Sequence, residues 1–264
     1  MRCSLIITTY NWSEALELVI LSALGQTRLP DEIIIADDGS KQDTKELIEK
    51  YRHNSVVPII YSWQEDQGFR LAHSRNLAIS KSTCEYIIVV DGDMVLDSRF
   101  VKDHIRCSEK GTYIQGSRVL LMAEPTKSIL NSKNLKNISF FMQNMKNRMN
   151  MIYAPWVSKV YCMFKNNELN RTRGCNFSLF KEDIIAVNGF NEDFVTWGKE
   201  DSEFVQRLYN NGVKRKNLKF SAIQYHLYHK EGNANENNIA LLQNTIDKKL
   251  IWCINGIDKY YISH

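Results

Sequence analysis

Short apolar runs alternate with segments of helical periodicity over the first 95 residues. Ser4 to Thr9 is compact, apolar and β-branched, which predicts a buried strand. Ser13 then reads as an N-cap, and Ala15, Leu18, Val19, Ser22 and Ala23 recur at helical spacing. Glu32 to Ala36 predicts a second buried strand, ended by the turn cluster Asp37-Asp38-Gly39-Ser40. A helix over Thr44 to Tyr51, with Leu47 and Ile48 inward, precedes a strand over Val57 to Trp63. A helix over Arg70 to Lys81 and a strand over Glu85 to Val90 follow, and Asp91-Gly92-Asp93 closes the series. Apolar strands alternating with helices predict an α/β fold whose mostly parallel sheet is covered on both faces. Ligands of such sheets collect at the carboxyl ends of the strands. Thr8 to Asn11, Asp37-Asp38 and Asp91 to Asp93 are therefore expected on one edge.

From Glu124 to Arg173 the pattern changes. Lys127, Lys133, Lys136, Lys146, Arg148, Lys159, Lys165, Arg171 and Arg173 face almost no acids, and Ile138, Phe140, Phe141, Met142, Met145, Met149, Met151 and Trp156 lie between them. Such a segment reads either as a helical insertion with solvated lysines or as a face for an acceptor or an anionic membrane. Regular order returns with a strand over Gly174 to Phe180, a short helix over Lys181 to Val187 and a longer one over Ser202 to Asn210. Asn238 to Ile254 reads as an amphipathic helix with Ile239, Leu242, Ile246 and Leu250 on one face.

With 264 residues the chain can bury a substantial core, and one domain is expected. The expected organisation is a nucleotide-binding half over 1–120, a basic helical insertion over 121–173, and an acceptor-binding half with a C-terminal helix over 174–264. A net charge of +4 suits an anionic substrate or membrane surface, and no nucleic-acid-binding motif accompanies it. Six scattered cysteines without CxxC spacing argue against a zinc ribbon and fit a reducing cytoplasm. Neither a signal-length apolar stretch at the N-terminus nor a run of roughly 20 apolar residues occurs. The expectation is a cytoplasmic protein, at most peripheral on the inner face of the membrane.

Two carboxylates flanking a glycine in Asp91-Gly92-Asp93 can hold a hard divalent cation while the backbone approaches a ligand closely. Asp38 can accept hydrogen bonds from a nucleobase or ribose, although an Asx-type turn explains the same cluster. Trp197-Gly198-Lys199-Glu200-Asp201 precedes a helix, so its acids could simply be N-terminal caps. Read functionally, the tryptophan is a platform for a sugar face and a carboxylate is a general base. The helix N-terminus should keep that carboxylate ionised at some cost in basicity. His226 and His229, three apart, can share one face of a helix or tight turn and ligate a metal. Neither GxGxxG nor GxxxxGK[ST] is present, which disfavours dehydrogenases and P-loop NTPases.

The order Thr8 to Asn11, Ile35 to Ser40 (IADDGS), Arg75 to Ala78 (RNLA) and Asp91 to Asp93 resembles the family-two glycosyltransferases of the GT-A fold. Arg173 to Phe180 (RGCNFSLF), Asn188 to Asn191 (NGFN) and Trp197 to Asp201 (WGKED) are similar to the C-terminal motif of β-1,4-galactosyltransferases and bacterial chondroitin-polymerase-like enzymes. The resemblance implies that Thr8, Tyr10 and Asp38 meet the nucleotide of a UDP-sugar, with Arg70 also facing it and Asp91 near the ribose. It implies Mn2+ (or Mg2+) on Asp93 and His229, with His226 as a further ligand. Trp197, Gly198, Glu200 and Asp201 would hold the acceptor, Glu200 and Asp201 being the catalytic carboxylates and Asp201 the base. The family usually has glycine where Lys199 stands, and a cation there points to an anionic acceptor.

The implied activity is metal-dependent, inverting transfer of a hexose or N-acetylhexosamine to a surface glycan or glycolipid such as lipopolysaccharide or capsule. Closure of a loop near Trp197 would exclude water. A non-catalytic sugar- or nucleotide-binding module and a sugar-nucleotide pyrophosphorylase are the alternatives. The first needs no base, and the second needs a glycine-rich basic loop where this chain has Tyr10-Asn11-Trp12.

Overall fold

The computed structural model describes residues 1–230 and 235–261, with the side chain of residue 136 outside the description. The chain runs β1 (Cys3–Thr9), α1 (Ser13–Leu24), β2 (Glu32–Asp37), α2 (Gln42–Asn54), β3 (Ile59–Trp63), α3 (Leu71–Lys81), β4 (Tyr86–Asp91) and β5 (Met94–Leu96). It continues through α4 (Phe100–Cys107), β6 (Thr112–Gly116), β7 (Val119–Leu121), α5 (Ala123–Ser132), β8 (Met145–Lys146), α6 (Pro155–Tyr161) and β9 (Lys165–Asn166). The last elements are β10 (Asn176–Phe180), α7 (Lys181–Ala186), α8 (Glu200–Asn210), β11 (Lys214–Leu218), β12 (Gln224–His226) and α9 (Glu236–Asp247).

Eight strands form the main sheet in the order β3-β2-β1-β4-β10-β6-β11-β9. Because side chains alternate across a strand, the central strands feed two cores. Leu5, Ile7, Ile33, Ile35, Ile88 and Val90 pack on the face carrying Leu16, Val19 and Ile20 of α1 and Phe100 of α4. Ile6, Ile34, Ala36, Ile87 and Val89 pack on the other, with Ala72 and Ile79 of α3 and Phe204, Val205 and Leu208 of α8. This double burial explains why the strands read as unbroken apolar runs.

Two departures from a parallel sheet assemble the site. β10 runs antiparallel between β4 and β6, with Asn176 opposite Val90. The residues just before β10 therefore lie at the carboxyl end of β4, beside Asp91. A second sheet of order β5-β12-β7-β8 pairs His226 with Met94, and the Leu227 amide donates to the Asp93 carbonyl at 3.0 Å.

Several sequence expectations change. Ser13 is the first helical residue rather than the N-cap, and its hydroxyl donates to Asp43 at 2.9 Å. The segment 121–173 is not purely helical, because β8 pairs with β7 and β9 with β11. The C-terminal helix stops at Asp247 and buries Asn238 and Thr245, while Ile239 is exposed. Asn238 holds the carbonyls of Thr196 and Gly198 at 2.9 and 2.7 Å, and Thr245 donates to Glu203 at 3.0 Å. Polar anchoring, invisible to an apolar pattern, decides which face turns inward. His226 ends β12 and His229 lies in the irregular segment after it, on neither a helix nor a turn.

Candidate active site

Two cavities meet at the carboxyl edge of the main sheet. One, of about 440 Å³, is walled by Thr8, Thr9, Tyr10, Trp12, Asp38 and Phe69. The other, of about 340 Å³, is walled by Arg75, Arg118, Arg173, Gly198, Lys199, Glu200 and Asp201, among others. Asp91, Asp93, Trp197 and His229 belong to both. Thr8, Tyr10, Asp38 and Asp91, expected at a nucleotide, thus line one chamber. Trp197, Gly198, Glu200 and Asp201, expected at an acceptor, line the next. Arg70 lines neither: its side chain donates to the Glu65 carbonyl at 2.6 Å, and its amide donates to Asp38 at 2.9 Å.

On the nucleotide side the aspartates divide their work. Asp37 closes the turn, accepting the Ser40 amide and the Tyr61 hydroxyl, both at 2.8 Å. Asp38 faces the cavity while accepting from Arg70 and Gln64, and burial pushes its carboxyl up to about 6. A group so poised suits hydrogen bonding to a nucleobase imide.

Asp93, His226 and His229 converge, one donor atom from each lying within 4.8 Å of the others. Asp93 Oδ2 is 3.2 Å from His226 Nε2 and 3.0 Å from His229 Nε2, and the two Nε2 atoms are 3.0 Å apart. His229 Nδ1 faces the Lys230 carbonyl at 2.9 Å and must donate to it. In the neutral ring this leaves the Nε2 lone pair aimed at Asp93 and His226. Asp93 Oδ1 is buried with no hydrogen-bond partner among the described residues. Burial opposes ionisation of Asp93, but the imidazoles outweigh it and hold the carboxyl at about 2. A carboxylate with two imidazoles at this spacing is a donor set that fits a divalent transition metal.

Arg75 joins the two chambers. Its guanidinium is 1% exposed, 3.4 Å from Asp91 Oδ1 and 3.2 Å from Glu200 Oε1. It also lies 5.1 Å from the Phe190 ring centroid. Thr8 fixes the same Asp91 oxygen at 2.9 Å. Gly174 makes room for Arg75, because a Cβ there would stand 2.3 Å from its Nη2. The residue type matters at Gly92 too, where a Cβ would stand 2.5 Å from the Thr8 carbonyl. The sequence reading left Arg75 without a role. Its signal is an arginine and an asparagine beside Ala72 and Ala78 on the inward face of α3, where apolar side chains are expected.

Glu200 and Asp201 occupy the first turn of α8 rather than the segment before it. Asp201 Oδ2 accepts the Gly174 amide at 2.9 Å, and Oδ1 accepts the Ser202 amide at 2.6 Å. Burial dominates both acids. It raises Asp201 against the pull of Arg75, and with repulsion from Asp201 it raises Glu200 to about 7. The expected loss of basicity at the helix N-terminus gives way: burial outweighs Arg75 and the Ser202 and Gly174 hydrogen bonds and raises the proton affinity of Asp201. Lys199 precedes the helix at φ 74°, after Gly198 at φ 101°. A left-handed backbone explains why glycine suits this position.

Residues 4–173 match the family model described as glycosyl transferase family 2, and residues 158–230 match that described as the N-terminal domain of galactosyltransferase. The chain is 26% identical over 248 residues to chondroitin synthase of Escherichia coli, covering 84% of this chain and 34% of that protein. It thus spans about a third of that relative's length. TarS of Staphylococcus aureus (residues 1–349, in complex with UDP-GlcNAc) superposes with a TM-score of 0.63 over 91% of this chain and 64% of that one, at 17% identity. A mannosyltransferase of Pyrobaculum calidifontis in complex with GDP-Man and Mn2+ superposes with a TM-score of 0.59 over 88% of this chain and 58% of that one, at 15% identity. The shared fold is the GT-A fold.

The Glu200 shift makes a stability prediction. A carboxyl raised from 4.5 to about 7 binds its proton more tightly in the folded state. Its contribution is full below pH 4.5 and is lost as pH rises through about 7. Urea midpoints measured from pH 5 to 8 should therefore fall less steeply in Glu200→Gln than in the parent. An unchanged slope would place the titration elsewhere.

Proposed function

We propose that this chain, which belongs to glycosyl transferase family 2, transfers a hexose or N-acetylhexosamine from a UDP-sugar to a hydroxyl of a surface glycan or glycolipid, with inversion. The shared wall carries this reading. Asp91, Asp93, Trp197 and His229 face both cavities, so a nucleotide in one chamber directs its sugar toward Asp201 in the other. Tyr10, Trp12 and Phe69 offer apolar surface for a base, and Asp38 offers an acceptor for its imide. The UDP-GlcNAc bound to TarS supports a uridine donor.

Asp201 accepts the proton of the attacking hydroxyl as its oxygen bonds to the anomeric carbon. The bond from that carbon to the diphosphate oxygen breaks on the opposite face, and its electron pair leaves with UDP. A single in-line displacement inverts the anomeric centre. The hydrogen bonds from Gly174 and Ser202 fix the Asp201 carboxylate before the substrate arrives, and its raised proton affinity suits the task. Glu200, tied to Arg75, holds the acceptor. Asp93, His226 and His229 would hold the divalent ion, which when bound offsets charge on the departing diphosphate as a Lewis acid. Two imidazole ligands favour Mn2+ over Mg2+, which prefers oxygen. The Mn2+ in the mannosyltransferase complex supports that choice.

The basic segment supports docking on an anionic membrane. Trp156, Met163 and Phe164 are 83%, 72% and 70% exposed along α6 and the turn after it, with Val157 and Val160 between them. Exposed Lys159 and Lys219 border this ridge, Lys219 standing 5.4 Å from the Tyr161 ring centroid. Apolar side chains rimmed by lysines match the interface of an acidic bilayer. No helix among the described residues is long and apolar enough to cross a membrane.

Three outcomes are expected. Asp201→Asn should lower kcat by about 10²–10⁴-fold while UDP affinity by calorimetry is kept; near-normal turnover would remove Asp201 from its role. Asp93→Ala should weaken UDP binding in Mn2+ but leave it unchanged in chelator, and an equal loss in both would argue against ligation. Phosphatidylglycerol vesicles should co-float the protein at low salt, less at high salt, and less after Trp156→Ser/Phe164→Ser. Absence of flotation at every salt concentration would sink the membrane contact.

A further inference from the structure

A third cavity, of about 700 Å³, opens beside the acceptor chamber between β6, α6 and β11, and Arg173 lines both. Its cationic side chains are Arg171, Arg173, Arg215 and Lys219, against the single carboxylate of Glu168. Asn147, Asn150, Asn170 and Asn217 add amides that can meet sugar hydroxyls, and Tyr161 adds a ring. Arg215 is buried and structural, donating to the Glu168 and Asn170 carbonyls at 2.8 Å. Arg171 and Arg173 differ. Among the described residues neither guanidinium has an ion pair or a hydrogen bond, and burial together with neighbouring Arg118 and Arg171 lowers the proton affinity of Arg173. Arg173 is half-buried and repelled by its cationic neighbours, a placement that costs stability unless a ligand supplies an anion, and exposed Arg171 stands beside it.

We propose that this cavity binds an anionic sugar of the acceptor chain, carrying a carboxylate or a phosphate, next to the sugar whose hydroxyl faces Asp201. Arg173, at the junction, would read the charge, with Arg171 and Lys219 beyond it. This rests on the second chamber being the acceptor chamber. Its chemistry also explains Lys199, which extends the same positive field into that chamber. An ordered anion would hold the attacking hydroxyl in register, which binding of the attacked sugar alone cannot do.

The test uses the full chain and three probes with one ring: glucose, glucuronate and glucose 6-phosphate, followed by saturation-transfer NMR at several salt concentrations. Glucuronate, glucose 6-phosphate or both should bind about tenfold more tightly than glucose, as charge-assisted hydrogen bonds require, and salt should erase the difference. Preference for glucuronate assigns a uronate and preference for the phosphate assigns a phosphorylated sugar; either supports the site. Arg171→Gln and Lys219→Gln, both at exposed positions, should each remove most of the preference. Equal or absent binding of all three probes overturns the proposal. So does an equal loss of UDP affinity in Arg171→Gln, which would make the patch part of the diphosphate site. Should the sugar acid bind while no UDP-sugar is turned over, the transferase reading falls and the anion site stands.

Discussion

One buried guanidinium holds the candidate active site together. Arg75 reaches from α3 to Asp91 at the end of β4 and to Glu200 at the start of α8, 125 residues further along the chain. A cation taken so far from water is costly unless carboxylates surround it, and carboxylates taken as deep are costly unless a cation does. Each therefore requires the other. Asp91 keeps its orientation through Thr8, Arg75 keeps its space through Gly174, and Glu200 and Asp201 share one counter-charge between them. Burial, which that single cation does not offset, lifts both acids toward neutrality, and repulsion from Asp201 adds to it at Glu200.

Much of this was legible in the residues themselves. The strands β1, β2 and β4 declared themselves because burial on both faces leaves no polar position to interrupt the run. Their polar ends marked the ligand edge for the same reason. What could not be read was partnership across long separations. The antiparallel insertion of β10 brings Gly174 to Asp201, and the pairing of β12 with β5 carries His226 to Asp93. No local periodicity encodes either event. Polar anchoring was equally silent: α9 turns Asn238 and Thr245 inward because they satisfy loop carbonyls and Glu203, against the pull of its apolar stripe. The weight of burial over Arg75 and the Ser202 and Gly174 hydrogen bonds at Asp201 is a balance that needs three dimensions.

The metal cluster and the basic cavity stand on one logic applied to opposite charges. At Asp93 too many lone pairs face one point, and at Arg173 too many cations do. On the readings proposed above, each surplus is where a ligand would complete the electrostatics. Native surfaces otherwise pair or solvate their charges.

The wall common to the two main chambers has a thermodynamic consequence. Trp197 and His229 touch whatever occupies either side, so any rearrangement of them that one ligand favours alters the affinity for the other. Linkage makes such an effect reciprocal: with donor and acceptor in the chambers proposed for them, each would change the other's binding by the same factor, whichever arrives first. A partition thin enough for the proposed substrates to react across it would also make each the other's effector.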